Sequence, residues 1–209
     1  MLFKNRQDAG RQLVPLLQKY REQEGMIVLG LARGGVITAA EIAQALGLPL
    51  DVLVVRKIGA PGNEELALGA ISEQGEGVFN DHLIGLLGVT SDYIKKEVER
   101  QRKIIRERLV LYRGQTKTLE LNKKKVILVD DGIATGASVR VAIRAIKEAG
   151  AKSIILAVPV AAPESLQKIA KEVDEVVCLL SPPYFEAVGS FYQDFDQVTD
   201  PEIVDLLLN

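Results

Sequence analysis

Val126-Ile127-Leu128-Val129-Asp130-Asp131 is the stretch that most narrows what this chain can become. Four consecutive apolar residues read as a strand buried on both faces, the pattern of a parallel sheet covered by helices. Two carboxylates stand where that strand should end. Gly132-Ile133-Ala134-Thr135-Gly136-Ala137-Ser138 then reads as a small turn, and residues 139–146 as the opening of a helix. A strand, a tight turn and a helix N-terminus aim backbone N–H groups at one point, which is a ready anion site. Gly132, Ala134, Gly136 and Ala137 keep bulk away from it, and Thr135 and Ser138 add hydroxyl donors. A phosphate cradle beside two acceptor-only carboxylates suits a sugar phosphate. No Lys follows these glycines at the spacing of a nucleotide-binding P-loop.

The remaining pattern extends the same architecture. Residues 8–23 read as a helix, 26–31 as a buried strand, and 34–46 as a helix stopped by Gly47-Leu48-Pro49. Strands are expected at 50–55, 66–72, 78–79, 153–160 and 175–180, with a loop at 58–65 and a turn at Gly75-Glu76-Gly77. Strands alternating with helices argue an α/β fold, a mainly parallel sheet covered by helices on both faces. The chain reads as one domain over residues 1–209. Its core spans about 26–160, and the segments 1–25 and 161–209 fold over the strand ends as a small hood.

Charge is uneven. The net charge is only −2, yet residues 95–125 hold 12 of the 26 basic residues and four acids. A polyanion-binding patch is one reading. The stronger reading is a solvated helix whose stripe of Ile94, Val98, Ile105, Leu109 and Tyr112 faces the core, with Glu99–Lys103 and Lys103–Glu107 pairs outside it. Nucleic acid is therefore not an expected partner, and a homodimer contact along this helix stays open. No apolar run approaches the roughly 18 residues of a membrane span. Residues 1–8 lack the apolar core of a secretory leader, and the single Cys178 fits a reducing compartment, so a cytoplasmic location is expected. The single His82 lies in a polar turn and is not read as a catalyst.

In open α/β sheets ligands gather at the carboxyl ends of the strands. That rule brings together the acid pair with its turn, Arg33-Gly34-Gly35 after the first strand, and Arg56-Lys57 after the second. Each ends a strand with groups suited to phosphates.

The stretch 126–138 resembles the phosphoribosyl-pyrophosphate (PRPP) signature of the type I phosphoribosyltransferases. The likeness extends to Phe3-x-x-Arg6-x-x-Ala9-Gly10-x-x-Leu13, to residues 33–35, to residues 56–65 and to residues 185–196. Together these look like a subfamily known only as predicted phosphoribosyltransferases. The resemblance implies that Asp130 and Asp131 hold the ribose hydroxyls, and that Gly132 and Ala134 through Ser138 surround the 5′-phosphate. It makes Arg33, Gly34 and Gly35 the pyrophosphate loop, and places Lys57 at the root of a mobile catalytic lid. Arg33, Lys57, Asp130 and Asp131 are the expected catalytic residues. Mg²⁺ is the implied cofactor, touched indirectly by Asp130 and Asp131 through ribose hydroxyls or water. The implied reaction moves a phosphoribosyl group from PRPP to a small nitrogenous acceptor. Phe185, Phe191, Tyr192 and Asp194 are expected at the acceptor, and the same aromatics could equally anchor the hood. Glu64, Glu65, Glu186 and Asp194 are candidates for a base. Ala134 stands where 6-oxopurine enzymes carry a carboxylate, and Pro159-Val160-Ala161-Ala162 where they carry a lysine, which argues against hypoxanthine and guanine. A PRPP-sensing RNA-binding regulator and a nucleotide or sugar-phosphate hydrolase are the competing readings.

Overall fold

The structure is a computed structural model that describes residues 2–73, 77–114 and 119–208, without the side chain of Glu65. The expected turn at Gly75 and Glu76, residues 115–118 of the polar connector and the Glu65 carboxylate lie outside the described residues. Asn5 caps α1 (Arg6–Leu17) by accepting the Asp8 N–H at 2.9 Å. Then come β1 (Met26–Leu31), α2 (Gly34–Leu46) and β2 (Leu50–Leu53). Gly47 adopts φ 64° and returns its N–H to the last carbonyls of α2, the left-handed helix stop that its sequence position predicts. Next are β3 (Val55–Ala60), β4 (Asn63–Ser72), β5 (Val78–Phe79), α3 (Asp81–Leu86) and α4 (Ser91–Arg113). The chain closes with β6 (Lys125–Val129), α5 (Ala137–Glu148), β7 (Ser153–Val160), α6 (Pro163–Ile169), β8 (Glu175–Leu180) and α7 (Asp200–Leu208).

Five strands form a parallel sheet in the order β2-β1-β6-β7-β8. The apolar run at 126–129 lies near its centre, and its period of two divides the core. Val126 and Leu128 join the cluster that holds Val139, Ile143 and Ile146 of α5, while Ile127 and Val129 join Leu13, Leu17 and Ile42 of α1 and α2. Helices on both faces explain why no residue of that strand could be polar.

Three expectations need correction. Residues 50–55 do not make one strand: β2 ends at Leu53, and β3 leaves the main sheet for a separate antiparallel sheet ordered β3-β4-β5. Residues 58–65 are not a loop but the tip of the β3–β4 hairpin, with Ala60 opposite Asn63 and Pro61-Gly62 between them. Proline's fixed φ and the φ of 73° at Gly62 suit a tight two-residue turn. The core also extends past residue 160, because β8 pairs with β7 as the fifth strand. The hood is built from Phe3 and residues 185–195, which cluster over Val160 and Leu180, while α1 itself lies on a sheet face.

The two helices absent from the expected elements are α3 and α7. The second carries a readable start in Asp200-Pro201-Glu202, with proline in the first turn. A third core joins Ile58, Leu68 and Ile71 of the hairpin to Ile105, Leu109 and Tyr112 of α4 and to Ile203 of α7. The expected stripe of α4 is thus buried, and its Lys103–Glu107 pair stands outside at 3.9 Å.

Candidate active site

The carboxyl ends of β1 and β6 are neighbours in the sheet, so the turn after each meets the other. The Ala32–Arg33 peptide is cis. A Cβ on Gly35 would lie 2.6 Å from the Val129 carbonyl and 2.9 Å from Asp130 Cα. One on Gly34 would overlap the Asp131 carboxylate. These glycines therefore have a role beyond anion approach: they let the start of α2 pack directly on the acid pair.

The two acids are held differently. Asp131 Oδ2 accepts Arg6 Nε at 2.6 Å, and its carbonyl accepts the Tyr192 hydroxyl at 2.6 Å. Asp130 Oδ1 accepts the Asp131 N–H at 2.9 Å. Burial first, and the adjacent Asp131 charge second, push the Asp130 carboxyl well above the usual carboxylate range, against the opposing pull of Arg6. Burial, with Asp131 adding to it, also keeps the Tyr192 phenol protonated.

The turn that follows is pinned at several places. Ile133 pairs with Ala161, donating to the Val160 carbonyl at 2.9 Å and accepting from Ala162 N–H at 2.8 Å. Gly132 lies under Val188 of the hood, where a Cβ would collide with its methyls. Gly136 begins α5 with φ 75° and offers no side-chain cap, and Thr135 Oγ1 accepts the Ala137 N–H at 3.5 Å. Ala134, Thr135 and Ala137 are exposed around this helix start, the arrangement expected of an anion cradle. Ser165 Oγ donates to the Ala134 carbonyl at 2.6 Å, a support from α6 that the sequence did not signal.

Arg33 and Lys57 flank this centre. The Arg33 guanidinium is turned to Asp200 of α7 at 3.7 Å, and Asp200 also accepts the Tyr112 hydroxyl. Lys57 is exposed on β3, not at the root of a loop. It lines a cleft of about 340 Å³ with Arg56, Arg100, Tyr93, Gln101 and Ser138. Ser138 brings the first turn of α5 into the same cleft as Lys57. A polar chain bolts the hairpin to α4. Arg56 Nε donates to Gln101 Oε1 at 2.8 Å, Gln101 Nε2 donates to Glu97 at 2.7 Å, and Arg100 forks onto the same Glu97 at 2.8 Å. Burial, then the charges of Arg108 and Arg100, lower the Arg56 guanidinium from its usual value, a sign of locally concentrated positive charge.

The hood answers the question left open for its aromatics. Tyr192 packs between Phe3 at 5.2 Å and Phe195 at 4.8 Å between ring centroids, and its hydroxyl is spent on Asp131. These contacts anchor the hood to the acid pair. Phe185 and Phe191 stack on each other at 5.3 Å. Asp194 is exposed and lines a cavity of about 190 Å³ with Arg6 and Asp196. Arg6 and Asp200 contact the expected site residues Asp131 and Arg33, and no role was expected of either. The one available signal was Arg6 within the N-terminal motif.

With this geometry in place, comparison with known proteins becomes decisive. A sequence model of the phosphoribosyl transferase domain matches residues 6–196. The chain belongs to the phosphoribosyl transferase family. Two Mycobacterium tuberculosis proteins that carry the provisional name of phosphoribosyl transferase, MT0597 and Rv0571c, are 42% identical to it over 211 residues. That similarity covers 99% of this chain and 46% of theirs, so the chain spans about half the length of the curated relatives it matches. The crystal structure of TT1426 from Thermus thermophilus is also similar, at 42% identity and a TM-score of 0.82 over 100% of this chain and 98% of that one. The phosphoribosyl transferase domain thus accounts for the parallel sheet and its flanking helices.

Proposed function

We propose that this phosphoribosyl transferase domain moves the 5-phosphoribosyl group of PRPP to a small nitrogenous acceptor and releases pyrophosphate. The observation that carries the reading is the acid pair at the end of β6 beside the glycine-led, exposed start of α5. Those two features, one turn apart, suit ribose hydroxyls and a 5′-phosphate respectively. In the reaction a bond forms between the acceptor nitrogen and the anomeric carbon. The bond from that carbon to pyrophosphate breaks, and its electron pair leaves with the pyrophosphate. Little covalent chemistry falls to the protein. Asp130 and Asp131 orient the sugar, residues 134–138 hold its phosphate, and Arg33 with Lys57 supplies positive charge for the leaving group. Arg33 would exchange its Asp200 partner for the ligand, and Lys57 would act from the bolted hairpin.

Mg²⁺ belongs to this proposal. The acid pair presents hard oxygen donors, and among the described residues no group of three or more His, Cys, Asp or Glu side chains is placed to hold a metal. That combination suits an ion carried chiefly by substrate oxygens and water, with Asp130 and Asp131 as indirect partners. When bound, such an ion supplies charge neutralisation for the pyrophosphate.

Ala134 offers a methyl group, and Val160 and Ala161 are buried apolar residues, so the positions that would read a 6-oxo group carry no polar side chain. Acceptors of other kinds are favoured. A homodimer is part of the proposal, and no helix among the described residues is long and apolar enough to cross a membrane. The test is pyrophosphate release from PRPP with Mg²⁺ across a panel of nucleobases, against Asp130→Asn and Asp131→Asn. Base-dependent release lost in both variants supports the reading. Release without any base favours a hydrolase, and turnover or binding indifferent to both acids rejects the ribose site.

A further inference from the structure

Arg6 opens α1, yet its side chain serves residues far along the chain. Nε donates to Asp131 Oδ2 at 2.6 Å, and Nη1 donates to the Asp196 carbonyl at 2.8 Å. Its Cζ lies 3.8 Å from the centroid of the Phe195 ring. The Arg6 and Asp131 side chains retain only 11% and 15% of their exposure, so water does not screen this pair as it would a surface pair. Asp131 is fixed a second time through its carbonyl, by Tyr192. Both holds come from outside the sheet that carries the acid. Arg6 takes Oδ2, and the other side chain acting on the Asp131 carboxylate is that of Asp130.

We infer that Arg6 is a positioning residue for sugar recognition. It fixes the orientation in which the Asp131 carboxylate, beside Asp130, meets a ribose hydroxyl, and it ties that carboxylate to the hood through Phe195 and Asp196. The inference rests on the reading of the acid pair as the ribose site. Its physical basis is preorganisation. A carboxylate already locked in place gives up no rotational freedom when the hydroxyl arrives, and a fork that bridges two segments locks it better than a point charge. Arg6 also offsets the mutual repulsion of the two acids. Asp131 and Arg6 are the charged groups that act on Asp130, in opposite directions.

The test is a double-mutant cycle on the intact chain. PRPP affinity by calorimetry, and KM and kcat by pyrophosphate release, are measured for wild type, Arg6→Gln, Arg6→Lys and Asp131→Asn, and for each Arg6 variant combined with Asp131→Asn. Arg6→Gln is expected to weaken PRPP binding by about tenfold to a hundredfold, the scale of a lost charge-assisted hydrogen bond, with a smaller change in kcat. Arg6→Lys keeps the charge without the fork and recovers part of the loss. In the Asp131→Asn background the same Arg6 changes should add less than about threefold. An undiminished loss on top of Asp131→Asn would make Arg6 a general structural residue and overturn the inference. Unchanged PRPP affinity in Arg6→Gln would do the same while leaving the ribose site standing. If wild type itself fails to bind PRPP, the ribose reading falls, and the inference with it. Should Arg6→Gln not fold, the Arg6→Lys cycle decides alone.

Discussion

Gly34 lies against the Asp131 carboxylate so closely that a Cβ there would overlap Oδ2 and stand 2.8 Å from Arg6 Nε. The absence of a side chain at Gly34 is therefore a condition for the Arg6–Asp131 pair. Gly34→Ala is expected to push the pair apart and raise the KM for PRPP at least about tenfold. The accompanying loss of stability should be about 1–3 kcal/mol, as for other overpacked sites. Urea unfolding and PRPP titration of the same variant separate the two effects.

Asp130 is a carboxyl whose folded environment disfavours its charge. Its pKa is raised on folding, so its contribution to stability is most favourable below the unfolded carboxylate range near about pH 4. That contribution is lost as pH rises from there through the folded pKa. Asp130→Asn should therefore melt at a higher temperature than wild type at pH 7, with the gain shrinking as pH is lowered toward 4. The same substitution should abolish PRPP turnover. Thermal scans from pH 4 to pH 8 check the sign, and a lower melting temperature at pH 7 would contradict it.

Lys57 and Gln101 share one cleft but should fail in different ways. Lys57 is exposed, so Lys57→Ala should change stability by less than about 0.5 kcal/mol while lowering kcat/KM at least about tenfold. Gln101 is 4% exposed and bridges Arg56 to Glu97. Gln101→Leu leaves both without that partner and should cost about 1–3 kcal/mol, with faster amide exchange along β3 and β4. Hydrogen exchange on both variants distinguishes a hairpin that is bolted from one that swings freely.

Arg113 ends α4 by bridging Asp51 Oδ1 and Glu73 Oε2, each at 2.8 Å, and its side chain and that of Glu73 are 9% and 7% exposed. Arg113→Met would strand two acids in a poorly solvated place. The expected cost is about 3–5 kcal/mol, or roughly 6–20 °C in melting temperature. Activity per folded molecule should be little changed, since no part of this cluster reaches the acid pair.

The sheet was legible because its strands obey strong local rules. A buried apolar run at 126–129, a helix stop at Gly47 and acids at a strand end each leave their mark within a few residues. The hairpin was harder. Ile58 and Gly59 sit among charged residues and beside Pro61-Gly62, a composition that serves a turn equally well. Only packing against Ile105 and Leu109 of α4, some 45 residues on, makes it a sheet. The supports of the site were hidden for a related reason. Arg6, Ser165 and Asp200 act through side chains that cross 125, 31 and 88 residues of chain to reach Asp131, Ala134 and Tyr112. Periodicity carries no information about such partners. Tyr192 stayed open between two roles because an aromatic in a polar segment looks alike whether its face meets a ligand or a neighbouring Phe.

The Arg6 to Asp196 hydrogen bond spans 190 residues. All five strands of the parallel sheet lie between those two residues, and the last of them ends at Leu180. During synthesis the sheet can therefore assemble, with both acids already at its edge, before the segment that completes their clamp has left the ribosome. If the acids do hold a ribose, sugar recognition is then the last competence the domain acquires, gained when residues 185–196 reach Phe3 and Arg6. A chain ending short of residue 190 would keep all five strands of the sheet and lack the Asp196 half of the Arg6 clamp.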